Sequence, residues 1–89
     1  MIQKKLTIIN KLGLHARASM KLIHLASRFQ SDIFIRYADR EINAKSILGT
    51  MALGAAQGAE IELIASGEDE SLAIEKISAL INNRFDEEE

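Results

Sequence analysis

His15 stands two residues after Gly13 and two before Arg17. Gly13 permits a tight backbone turn. The apolar periodicity that begins near Ala16 predicts a helix whose first turn opens beside the imidazole. Such a turn offers unpaired backbone N–H groups and a partial positive charge. An anion held there gains about 0.3–1 kcal/mol. A neutral ring nitrogen is available near neutral pH, so His15 can serve as a nucleophile toward a phosphoryl group. The phosphoryl oxygens would meet the backbone N–H groups of Ala16, Arg17 and Ala18 and the planar guanidinium of Arg17. A plainer alternative is that His15 only caps the helix, and the segment by itself leaves both readings open.

Other chemistries have less support. The chain has no cysteine, which excludes disulfides and thiolate zinc sites. His24, the second histidine, has no nucleophile or carboxylate cluster near it in sequence, so neither a metal site nor a cofactor is expected. Ser46 precedes a short apolar segment and reads as a helix N-cap.

These residues need elements to position them. Ile2, Lys4, Leu6 and Ile8 alternate with Gln3, Lys5, Thr7 and Ile9, the pattern of a strand. In the first helix, Ala18, Leu22, Leu25, Ala26 and Phe29 mark the buried face. Arg17, Lys21, His24 and Arg28 form a basic stripe on the other side. Ile33–Tyr37 predicts a second strand, Ala38–Glu41 a hairpin turn, and Ile42–Ala44 a short third strand. Ser46 then caps a short helix through Leu53, with Gly54 as its stop. Ile61, Leu63 and Ala65 alternate in a fourth strand. Glu68, Asp69 and Glu70 favour the positive end of a last helix, whose apolar positions are Ala73, Ile74, Ile77, Leu80 and Ile81. Asn82-Asn83 ends it. The order βαββαβα predicts an α+β fold with one antiparallel sheet covered on one face by helices. Residues 1–85 form the expected domain, and Asp86–Glu89 a flexible, solvated acidic tail.

Aromatic residues make up only 4% of the chain, so aliphatic side chains must build the core. Residues 1–45 carry nine Lys/Arg against three Asp/Glu, and residues 46–89 carry two against ten. This split gives the first half an electrostatic address for acidic partners. The absence of an apolar run near 20 residues argues against membrane insertion. The N-terminus lacks the pattern of a signal peptide, so a cytoplasmic protein is expected.

The segment Asn10-Lys11-Leu12-Gly13-Leu14-His15-Ala16-Arg17-Ala18-Ser19 resembles the active-site segment of the HPr family, phosphocarriers of the bacterial phosphoenolpyruvate-dependent phosphotransferase system. Asn43-Ala44-Lys45-Ser46-Ile47-Leu48-Gly49 resembles the family's regulatory serine segment, at matching spacing. The resemblance implies an open-faced sandwich with strand order 1-4-2-3 and three helices on one face. It implies that Enzyme I phosphorylates His15 on Nδ1 and that the group passes to a IIA protein or domain. It also implies a carrier rather than an enzyme. Ser46 becomes a candidate for an HPr kinase/phosphorylase. Lys21, His24, Ile47, Leu48 and Met51 become candidates for partner docking. One position departs: the family usually has Pro where this chain has Ala18, which predicts a slightly looser turn. The Leu-Gly-Leu-His-Ala-Arg wording and the Phe85-Asp86-Glu87 ending are similar to the nitrogen-related NPr branch, so sugar transport and nitrogen regulation both stay open. A donor–acceptor cycle suits a monomer. The rival readings are a nucleic-acid or small-ligand module and a regulatory relative without a relay role. Net charge of −2 and the scarcity of aromatics oppose nucleic-acid binding, and His15 opposes the purely regulatory reading.

Overall fold

The computed structural model describes all residues, Met1–Glu89. Four strands form one sheet: β1 (Ile2–Thr7), β2 (Asp32–Tyr37), β3 (Arg40–Asn43) and β4 (Glu60–Ser66). Their order is β1-β4-β2-β3, and every neighbouring pair is antiparallel. Ile2 lies opposite Ala65 and Thr7 opposite Glu60, while Ile33 lies opposite Ala65 on the other side of β4. This register places Leu6, Ile61, Leu63, Ile33 and Ile35 on one buried face, the result expected of period-two alternation. The opposite face carries Phe34 and Ile64 beside polar residues, among them Arg36, which bonds Glu62 and Glu41 at 2.9 Å each.

Helices α1 (Ala16–Ala26), α2 (Ile47–Ala52) and α3 (Glu70–Asn82) complete the βαββαβα order. Ala18, Leu22 and Ala26 of α1 and Ala73, Ile74, Ile77 and Ile81 of α3 enter the same core as the inward strand residues. Phe29, placed on the α1 face by its spacing, lies beyond the end of the helix but still packs into this core.

Two boundaries near the sheet edges differ from the sequence expectation. β1 ends at Thr7, and Ile8 is buried just outside it. The hairpin turn is only Ala38-Asp39, because Arg40 and Glu41 pair with Tyr37 and Arg36. Ala38 takes φ +56° to close it.

The chain's ending differs more. After α3, Arg84–Asp86 forms one short turn in which all three residues have positive φ (57°, 53° and 62°). This left-handed turn directs Phe85 into the core, where it is fully buried. Asn83 Nδ2 donates to Asp86 Oδ1 at 2.8 Å, and Arg84 Nη1 donates to the Glu88 carbonyl at 2.8 Å. Residues 86–89, expected as a solvated tail, therefore start from a buried anchor and run back across the molecule.

Candidate functional site

The loop before α1 is fixed by backbone constraints. Gly13 has φ +66°, and a Cβ on it would come within 2.5 Å of the Ala55 carbonyl oxygen. Leu14 N–H donates to that same carbonyl at 2.9 Å, and its side chain is buried. Asn10 is fully buried, and its Nδ2 donates to the Gly13 carbonyl at 2.8 Å. The loop thus delivers His15 to the start of α1 in an extended conformation suited to an N-cap (φ −75°, ψ −180°).

His15 caps the helix through its ring. The Arg17 backbone N–H donates to Nδ1 at 3.3 Å, and Ser19 N–H donates to the His15 carbonyl at 2.8 Å. The first helical turn carries no acidic side chain, so nothing in that turn neutralises the positive end of α1. Arg17 is exposed, and its guanidinium makes no ion pair or hydrogen bond within the chain. Ala18 is fully buried and packs into the core from the first turn.

The other ring nitrogen has a partner that sequence reasoning missed. Nε2 of His15 bonds the carboxylate of Glu87, and Asn10 Nδ2 donates to the second Glu87 oxygen at 3.0 Å. Partial burial pushes the Glu87 carboxyl up, but the hydrogen bonds to His15 and Asn10 and the nearby charge of Lys21 outweigh it. The carboxyl is held below the usual range for glutamate. Glu89 reaches the same place, with its carboxylate 3.3 Å from Lys11 Nζ. Lys11, His15, Ala16, Arg17, Glu87 and Glu89 together border one shallow concavity. No sequence signal marked Glu87, because a run of acids after a helix has the composition of a solvated end.

The remaining site candidates fall in two groups. His24 and Arg28 are exposed along α1 with Arg17. Lys21 is half-buried, and its Nζ donates to the Phe85 carbonyl at 2.6 Å, so it binds the chain's own ending rather than standing free on the stripe. Ser46 caps α2, accepting from Gly49 N–H at 3.1 Å. Ile47, Leu48 and Met51 are 37%, 79% and 46% exposed, which makes them surface residues of α2. Thr50 and Leu53 supply the buried side of that segment.

Comparison with known proteins gives this arrangement its context. The family profile described as "PTS HPr component phosphorylation site" matches residues 2–83. The chain belongs to the HPr family. The phosphocarrier protein HPr of Xylella fastidiosa is 49% identical over 88 residues, covering 99% of both chains. The crystal structure of HPr-C-His from Thermoanaerobacter tengcongensis superposes with a TM-score of 0.96 at 42% identity, covering all of both chains. A relative named phosphocarrier protein NPr, from Shewanella violacea, is 42% identical and covers 97% of this chain and 94% of its own. NPr is therefore one of several names among the relatives. As an HPr-family protein the chain is a phosphoryl carrier of the phosphotransferase system, not a catalyst, and the family implies Enzyme I and IIA proteins as partners. The strand order implied by the resemblance is the order observed. No helix is long and apolar enough to cross a membrane.

Proposed function

We propose that His15 is the residue that carries the phosphoryl group, on Nδ1, and that it receives the group from phospho-Enzyme I and passes it to a IIA protein or domain. The observation that carries this reading is the N-cap geometry. Nδ1 faces the N-terminus of α1, where the Ala16, Arg17 and Ala18 N–H groups and the Arg17 guanidinium supply positive charge for an incoming dianion. Phosphoryl transfer needs positioning and charge compensation more than covalent assistance from the carrier, and the site offers both.

Docking follows from the surroundings. An apolar centre of Ile47, Leu48 and Met51, with Arg17 and His24 exposed on α1 and Lys21 half-buried beside them, suits transient contact with acidic partners. Phosphorylation of Ser46 by an HPr kinase/phosphorylase would add a dianion at the start of α2, which the helix tolerates while the partners' acidic surfaces are repelled. A monomer in the cytoplasm is the working unit of this reading. Its test is a relay assay: the chain is charged with Enzyme I, magnesium and phosphoenolpyruvate, separated, and mixed with a IIA protein. Transfer of the label to IIA from the wild type, with a monomeric mass by sedimentation, is expected. A charged chain that passes nothing to any IIA tested would refute the relay.

A further inference from the structure

Glu87, which bonds His15, lies beyond the residues matched to the family profile, which end at 83. The contact bears on which ring nitrogen holds the proton. An ionised carboxylate is only an acceptor, so the Glu87 contact requires the proton on Nε2. The Arg17 backbone N–H is only a donor, so its contact at 3.3 Å requires a lone pair on Nδ1. Two independent hydrogen bonds, one at each nitrogen, demand the same tautomer.

We propose that Glu87 is a positioning residue for phosphoryl transfer, holding His15 with Nε2 protonated and the Nδ1 lone pair presented for attack. The inference rests on His15 being the acceptor. In the acceptance step the Nδ1 lone pair forms the nitrogen–phosphorus bond. The donor's bond to phosphorus breaks, and its electron pair leaves with the donor. No proton has to depart from His15, because Nδ1 carries none. The ring becomes positively charged, and its Nε2 proton stays in the hydrogen bond to Glu87, whose negative charge balances the ring. Delivery to the next partner reverses these changes.

The carboxylate is itself held. Fully buried Asn10 ties Glu87 to the Gly13 carbonyl, and so to the turn that delivers His15. Phe85 fixes the chain two residues earlier, with Lys21 on its carbonyl at 2.6 Å. Glu87 therefore approaches the ring from a fixed direction, opposite the phosphoryl position at Nδ1.

The test uses the full chain with histidine labelled by nitrogen-15. In the wild type, NMR is expected to show an Nε2 proton protected from solvent exchange and an unprotonated Nδ1. In Glu87→Ala the protected proton is expected to vanish, and acceptance from phospho-Enzyme I, read by rapid quench, to slow about tenfold, as for the loss of one charge-assisted hydrogen bond. Added formate should restore part of the rate to Glu87→Ala and none to the wild type. Glu88→Ala should match the wild type. An unchanged rate in Glu87→Ala overturns the proposal. Faster acceptance overturns it too, since the carboxylate would then act as an anionic cover. If a His15→Ala chain accepts the phosphoryl group as the wild type does, the acceptor assignment itself fails, and this inference falls with it for that separate reason.

Discussion

Phe85→Ala probes the feature on which the site's second half depends. The side chain is fully buried and belongs to the same core as Leu22, Ile77 and Ile81. Truncating a buried phenylalanine costs about 3–5 kcal/mol through lost transfer energy and the cavity left behind. The lower end applies here, because a terminal segment can detach and let its surroundings relax. A loss of about 3 kcal/mol is a large share of the roughly 5–15 kcal/mol that stabilises a domain. At about 4–8 °C per kcal/mol for this size, the midpoint should fall by roughly 12–24 °C. The chain has no tryptophan, so urea and thermal unfolding are followed by far-UV circular dichroism. The variant should show a slightly lower urea slope, since a detached ending is exposed before unfolding. It should also free the Lys21 amino group and weaken the Glu87–His15 contact, visible as loss of the protected Nε2 proton. A destabilisation below about 0.5 kcal/mol, the range of ordinary surface substitutions, would refute the reasoning that the ending packs as part of the core.

Gly13→Ala should cost about 2 kcal/mol or more, because a left-handed backbone disfavours a Cβ and that Cβ would strike the Ala55 carbonyl at 2.5 Å. Chemical denaturation measures the cost, and phosphoryl acceptance should fall as His15 shifts. Ser46→Ala should lose about 1 kcal/mol with the cap to Gly49 yet still accept the phosphoryl group at the wild-type rate. Asp69 accepts from the Ser31 hydroxyl and from the Gln30 and Ser31 N–H groups, and these bonds, the Ser31 hydroxyl first, hold its carboxyl below the ordinary aspartate value. A lowered folded pKa means stability that is present above the unfolded value, near about 3.9, and lost as the pH falls through the folded value. Urea midpoints of wild type and Asp69→Asn should therefore differ at neutral pH and converge in acid.

Much of this fold was legible because local pattern and tertiary demand agree. Alternation in Ile61, Leu63 and Ala65 survives burial as a strand, and the spacing of Ala18, Leu22 and Ala26 survives as a buried helix face. Gly13, His15, Arg17 and Ser46 stood out because turns and caps need particular residue types at fixed offsets. The ending was illegible for a physical reason. Phe85 reaches the core through three consecutive left-handed residues, none of them glycine, and no short-range propensity signals such a turn. Glu87 meets His15 across 72 positions of sequence, and a long-range pairing of one carboxylate with one imidazole leaves no periodic trace. Lys21 shows the same limit: helical spacing placed it on the basic stripe, while its partner is the Phe85 carbonyl.

The most direct test of the central claim compares wild type and His15→Ala after incubation with Enzyme I, magnesium and phosphoenolpyruvate, by intact mass before and after acid treatment. The account predicts one acid-labile phosphoryl group on the wild type and none on His15→Ala. Phosphorylation of His15→Ala to the wild-type extent, or an acid-stable group on the wild type, would contradict it.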